Sequence, residues 1–126
     1  MTMTLDELNS RVTNAIVRAE SLPAGSRDAW EAFHDVSALE ESIAALMPPD
    51  DLEGEIARLG AVTAALSAGE PLRALQLAER FLAESLSPEI AEKLRQLVRE
   101  ADAELVRAIA DGPPTVKPVT FTLRAA

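Results

Sequence analysis

Apolar residues recur three and four positions apart along almost the whole chain, and proline or glycine interrupts this spacing at only a few places. Such spacing places apolar side chains on one face of an α-helix, whereas a half-buried strand needs strict alternation. The main interruptions fall at Pro23, Pro48, Gly69 and Gly112, where a helix cannot continue or a turn is favoured. The sequence therefore predicts an all-α fold, a bundle of about five antiparallel amphipathic helices with short connections.

Capping residues indicate where these helices begin. Thr4 and Glu7 have the spacing of a capping box, which predicts a first helix from about Leu5 to Leu22. Serine and aspartate are favoured N-caps, and proline is favoured in the first helical turn. On these grounds the other helices are expected to begin after Ser26, after Asp50 or Asp51, at Pro71 and at Pro88.

The expected core follows from the apolar faces. For the third helix, which is expected to end near Ser67, the large apolar residues define the buried face: Leu52, Ile56, Leu59, Val62 and Leu66. The same reasoning gives, for the other helices, Leu5, Leu8, Val12, Ala15, Ala19, Leu22; Ala29, Trp30, Ala32, Phe33, Val36, Leu39, Ile43, Leu46, Met47; Leu72, Leu75, Ala78, Phe81, Leu82; and Ile90, Leu94, Leu97, Ala101, Leu105, Ala108.

Composition limits the classes of function. A formal charge of −9 disfavours binding to nucleic acid or to anionic membrane surfaces, which need clustered Lys and Arg. The absence of cysteine excludes disulfides, thiol catalysis and Cys-ligated zinc. No secretory signal and no apolar run of about 18–20 residues is visible, so we expect a cytoplasmic protein.

The last fifteen residues differ from the rest, which divides the chain into a helical bundle domain (1–111) and a proline-containing tail (112–126). Residues 116–123 form an extended pattern, a possible single β-strand, with Val119, Phe121 and Leu123 on one face. An isolated strand leaves its backbone hydrogen bonds unmade, so Val116 and these three residues are the predicted partner-binding residues. As partner-binding residues they would pair with a second copy or join the sheet edge of another protein. Alternatively, they cover the chain's own bundle.

The tail also differs in charge. All 21 acidic residues but only 10 of the 12 basic ones lie at or before Asp111, so residues 1–111 carry −11. Lys117 and Arg124 give the tail +2, which favours its docking on an acidic helical surface.

Candidate catalytic and metal-binding groups are few. Glu31 and His34 have the spacing of helical di-iron sites, but such sites need a second histidine, and His34 is the only one. An acidic cluster at residues 50–55 lies at a helix start, which favours capping over calcium binding. We therefore predict no cofactor, no metal and no enzymatic activity; a dry pocket joining Glu31, His34 and Asp35 would favour an enzyme.

Residues 52–86 resemble a single tetratricopeptide-type helical hairpin. The resemblance rests on Ile56, Leu59, Gly60 and Thr63 in the first helix, and on Gly69, Ala74, Ala78 and Phe81 in the turn and second helix. The distance from Gly60 to Ala74 is two residues longer than in that repeat, and both aromatic positions of its first helix lack aromatic residues. The similarity covers about a quarter of the chain, and no second copy of the repeat is detectable.

These observations lead to two hypotheses. The first is a non-enzymatic protein–protein interaction module, an adaptor or accessory subunit that binds another protein or a second copy of itself through the tail or through an exposed heptad seam. The alternative is an acidic inhibitor of a basic partner, of the antitoxin or immunity type found in bacterial conflict systems.

Overall fold

The computed structural model describes residues 2–111, which form five α-helices. They are α1 (Leu5–Ser21), α2 (Arg27–Leu46), α3 (Leu52–Ser67), α4 (Pro71–Leu82) and α5 (Pro88–Ala110). Each predicted helix is present, with ends within one or two residues of the expected positions. The all-α class and the number of helices are thus confirmed.

The helix starts agree with their capping chemistry. At α1 the backbone N–H of Thr4 donates to Glu7 Oε1 (2.8 Å), and that of Glu7 donates to Thr4 Oγ1 (3.2 Å). Both halves of the predicted capping box are therefore made. Ser26, Asp51 and Ser87 likewise accept backbone N–H groups at the starts of α2, α3 and α5.

The helices pack as antiparallel neighbours in chain order, with α3 in the centre. Along α2 and α3, Met47 faces Gly54, Ser37 hydrogen-bonds to Ala61, and Trp30 faces Gly69, so residue numbers rise in one helix as they fall in the other. α3 contacts α2, α4 and α5, whereas α1 packs against α2 alone among the described helices. The bundle is thus built around α3.

The predicted core face of α3 is partly wrong. Leu52 and Ile56 are 68% and 54% exposed, while the buried positions are small residues or charged ones. The buried residues of α3 are Gly54, Glu55, Ala57, Arg58, Ala61, Val62, Ala64 and Ala65. A helix with neighbours on three sides has little room for large side chains where the backbones approach closely, so small residues occupy the contacts.

Four further residues that were expected in the core are exposed. Trp30, Leu46 and Leu72 lie within about one turn of a helix end and are 48–59% exposed. Ala108 is exposed near the end of α5. The apolar spacing alone therefore overestimates burial near the helix ends.

Candidate interaction surfaces

α5 extends well beyond its neighbour α4. The two helices have 23 and 12 residues, hence lengths of about 35 Å and about 18 Å. The two helices run antiparallel and are joined by the short loop 83–87. The extra length of α5 therefore lies at the end of the bundle where α4 begins. In agreement, the last buried residue of α5 is Ala101.

This projecting end of α5 (residues 102–110) carries exposed apolar side chains. Val106 is 63% and Ile109 79% exposed, and Leu105 beside them is half-buried. No other element of residues 2–111 covers them. Large apolar side chains on an unpartnered helix end are typical of a contact surface.

A groove lies at the same end of the bundle, between the start of α2 and the turn that joins α3 to α4. We call it the Trp30 groove, and its volume is about 630 Å³. It is lined by Arg27, Trp30, Glu31, His34, Asp35, Ala68, Gly69 and Glu70. The only tryptophan and the only histidine of the chain therefore share one surface.

Gly69 fixes the position of the indole in this groove. Its φ of +72° is in the left-handed region that glycine adopts without strain. A Cβ at this position would approach ring atoms of Trp30 to 3.0–3.2 Å. The indole thus lies closely against the turn and keeps about half of its surface exposed.

The Trp30 groove is predominantly acidic. His34 Nδ1 donates to Glu70 Oε1 at 2.9 Å, and Arg27 Nε donates to Glu31 Oε2 at 3.3 Å. Asp35 has no ion-pair partner among the described residues. Three carboxylates therefore face one arginine and one histidine around an exposed indole, an arrangement that suits a cationic side chain.

Glu31, His34 and Asp35 do line the same groove, but all three are exposed, so it is not the dry pocket that would favour an enzyme. Glu31 and His34 have different hydrogen-bond partners, and within residues 2–111 no group of three or more potential ligands is close enough to hold a metal ion. In the acidic cluster, Asp51 accepts the backbone N–H of Glu53 at 3.1 Å, and Glu55 accepts that of Ser87 at 2.6 Å. These two carboxylates therefore act as hydrogen-bond acceptors for the backbone.

A second charged cluster lies inside the bundle, around Arg58 of α3. Its side chain is 5% exposed, and its Nε donates to Glu84 at 2.7 Å while Nη1 donates to the carbonyl of Gly54 at 2.9 Å. The guanidinium also lies 5.6 Å from the ring centroid of Phe81, with Arg80 at 5.2 Å from the same centroid. Each of the three guanidinium nitrogens of Arg58 thus donates to a group of the fold, which indicates a structural role for this cluster.

Glu41 extends this internal network from α2 to α4. Arg73 and Arg80 each donate to its carboxylate at 2.8 Å, and Arg73 also donates to Ser37 Oγ at 3.1 Å. Burial raises the pKa of Glu41, but the hydrogen bonds from Arg80 and Arg73 outweigh this effect and lower the pKa overall. The buried Ser37 in turn donates to the carbonyl of Ala61, which ties three helices together.

Glu40 is the exception among the interior carboxylates. It lies against Gly60 of α3, where a Cβ would collide with its carboxylate, and no cation pairs with it within residues 2–111. Burial raises the pKa of Glu40 to about 7. Its neighbour Glu41 has two arginine partners, and its pKa is lowered instead.

The partner-binding residues predicted from the sequence, Val116, Val119, Phe121 and Leu123, lie outside the described residues, as does the predicted strand. Among the described residues, the structure shows the projecting end of α5, which adjoins the point where the tail begins, and the Trp30 groove at the same end of the bundle. The available signal for the groove was the helical spacing within residues 30–35, where Glu31 lies three residues before His34 and four before Asp35. It could be recognised only after α2 and α3 were paired in register.

Comparisons with protein-family models, with curated proteins and with solved structures each find no match for this chain. The resemblance of residues 52–86 to a tetratricopeptide-type hairpin therefore stays a prediction. Over residues 2–111, none of the helices combines the length and the hydropathy that a bilayer crossing requires.

Proposed function

We propose that this protein is a non-enzymatic protein–protein interaction module, acting in the cytoplasm as an adaptor or accessory subunit. Its partner is another protein or a second copy of itself, and it binds neither nucleic acid nor membranes. The contact surface combines the projecting end of α5 with the tail, including Val116, Val119, Phe121 and Leu123. The two parts adjoin, since the tail starts directly after Asp111.

The projecting end of α5 is the observation that carries this proposal. Its last turns contribute little to the core of residues 2–111, yet they present Val106 and Ile109 to solvent. Burying apolar side chains of this kind contributes about 1.5–3 kcal/mol each to association. If these last turns only terminated the helix, polar side chains at residues 106 and 109 would be sufficient.

The test compares full-length protein, a variant lacking residues 112–126, and the double variant Val106→Gln/Ile109→Gln. Sedimentation measures self-association, and chemical cross-linking in cells followed by reconstitution with purified candidates measures binding to another protein. We expect both changes to weaken the same association. The matched control is Val17→Gln on α1, whose side chain is similarly exposed at 64%. Unaltered association in both variants would disprove the proposal.

The acidic inhibitor is the second candidate, and the Trp30 groove favours it. Asp35, without an ion-pair partner in the described residues, borders this groove and also the shallow cleft beside Arg11 and Leu39. Such a surface would bind a basic protein with an affinity that falls steeply with salt. Association that is insensitive to ionic strength would exclude this candidate.

A further inference from the structure

We propose that the Trp30 groove binds the chain's own tail, residues 112–126, with Lys117 or Arg124 placed against Trp30 and the groove carboxylates. This inference rests on the proposed role of the tail as a docking segment, and it names the surface that the segment occupies in the unbound protein, from which a partner or a second copy would displace it. Chain geometry, charge and the chemistry of the groove support it.

Chain geometry places the start of the tail near the groove. The surplus of about 16 Å in α5 projects from the end of the bundle where α4 begins, and Gly69 and Glu70 of the groove immediately precede α4. An extended chain spans about 3.3 Å per residue, so Lys117 can reach about 20 Å and Arg124 about 43 Å from Asp111. After returning along this surplus, Arg124 has about 27 Å of reach left, more than two helix diameters of about 10 Å, whereas Lys117 has about 4 Å, so the geometry favours Arg124.

Charge selects the tail as the occupant. Lys117 and Arg124 are its only charged residues, and no acidic residue follows Asp111. The groove presents the carboxylates of Glu31, Asp35 and Glu70. Opposite charges that meet in a partly desolvated groove attract more strongly than the same charges in bulk water.

The chemistry of the groove suits both parts of the tail. The exposed face of Trp30 can accept a lysine or arginine cation, an interaction of about 0.5–2 kcal/mol. The exposed edge of the indole provides apolar surface for Phe121 or one of the valines. The combination of an indole and carboxylates therefore matches a segment that alternates apolar residues with isolated cations.

Trp30 itself is the probe for the test, because the chain contains one tryptophan, no tyrosine and no cysteine. The full-length variant Thr122→Cys carries a nitroxide label that quenches tryptophan fluorescence at short range. The matched control is Ser10→Cys, labelled in the same way on the exposed surface of α1. We expect at least about twofold weaker Trp30 emission for the label at residue 122 than at residue 10, with lifetimes shortened accordingly.

Two changes should abolish this quenching if charge holds the tail. One is Lys117→Gln/Arg124→Gln in the labelled chain, with Lys93→Gln/Arg95→Gln on α5 as the matched control. The other is an ionic strength of about 1 M, where the Debye length falls to about 3 Å. Quenching that survives both changes would overturn the charge-based assignment.

Protein concentration separates binding within one chain from binding between chains. The proposal requires quenching that stays constant on dilution while the protein sediments as a monomer. Quenching that disappears on dilution would show that the tail binds a second copy, and equal emission from both labelled proteins would show that it does not reach the groove. Either result overturns the inference, while the association assay with Val106 and Ile109 tests the proposed function independently.

Discussion

α3 and the projecting end of α5 invert the usual relation between side-chain chemistry and burial. α3 buries Arg58 and Glu55 and leaves Leu52 and Ile56 exposed, whereas the end of α5 exposes apolar residues. In α3 the cause is position, because three neighbouring helices leave room for small residues and for charges that find partners. At the end of α5, residues 2–111 provide no neighbour. The comparison shows that charged residues can define an interior while apolar residues define a surface available for binding.

The largest expected effect concerns the buried charges of α3, and it is tested by replacing Arg58. We expect Arg58→Ala to lower the free energy of unfolding by about 3 kcal/mol, because Glu84, the carbonyl of Gly54 and the face of Phe81 all lose their partner. Urea unfolding followed by circular dichroism measures the change. Arg95→Ala, which breaks an exposed pair with Glu92, is the control and should cost less than about 1 kcal/mol. Equal losses would show that Arg58 is not part of the core.

Close backbone packing is tested by Gly54→Ala. A Cβ at residue 54 would collide with the backbone carbonyl of Pro48, so we expect a loss of about 1–3 kcal/mol despite alanine's better helix propensity. Gly60→Ala is the matched control in the same helix. There the colliding atoms belong to the end of the Glu40 side chain, which can rotate, so the change should stay within about 1 kcal/mol. If both variants behaved alike, close packing of α3 would not explain its small residues.

Glu40 tests how a carboxylate between α2 and α3 affects stability when residues 2–111 provide no cation to pair with it. Its pKa is about 7 in the folded protein and near 4.5 when unfolded, so the folded state binds more protons between these values. Stability contributed by the protonated carboxyl is therefore present below about pH 4.5 and is lost as the pH rises through about 7. Because the side chain is partly exposed, solvent reduces the effect, and we expect Glu40→Gln to stabilise the protein by about 1 kcal/mol at pH 8.

The measurement for Glu40 is urea unfolding of wild type and variant at pH 4, 6 and 8. The stability difference should be near zero at pH 4 and should grow with pH. Glu41→Gln serves as the comparison, since removal of its charge leaves Arg73 and Arg80 without their partner and should destabilise at neutral pH. A pH-independent difference for Glu40→Gln would contradict the raised pKa.

The smallest expected effect on stability belongs to the projecting end of α5. Val106→Gln/Ile109→Gln should change the free energy of unfolding by less than about 0.5 kcal/mol per residue, because both side chains are already exposed. The same variant should weaken association, as measured by sedimentation or by binding to a purified partner. A large loss of stability without a change in association would assign these residues to the fold.

The helices themselves could be predicted from the sequence because their determinants are local. Thr4 and Glu7 are three residues apart, and Pro71 and Pro88 act on their own turns, so caps and boundaries need no knowledge of the tertiary structure. The buried face of α1 was also correct, since Leu8, Val12 and Ala19 face a single neighbour. A helix with one neighbour and one apolar stripe has only one face that can be buried, so its buried face can be predicted from the sequence.

The interior of α3 could not be predicted in the same way. Choosing its face by the largest apolar residues selected Leu52 and Ile56, but its burial depends on how many helices surround it, which is a property of the whole arrangement. The partnership of Arg58 with Glu84 joins residues 26 positions apart, and that of His34 with Glu70 joins residues 36 apart. Periodicity carries no signal for such pairs, so the internal charge cluster was not predicted, and the groove was considered only as a conditional pocket of Glu31, His34 and Asp35.

The dependence of α1 on α2 alone has a consequence for the order in which the molecule opens. All helix–helix contacts of residues 2–111 join elements that are adjacent or next but one in the chain, so the fold has a low contact order and is expected to form rapidly. α1 can separate from α2 without disturbing α3, α4 or α5, so its amide protons should exchange through a partial opening at lower free energy than global unfolding. Cooperativity is thus expected to be strongest around α3 and to weaken toward the N-terminal helix.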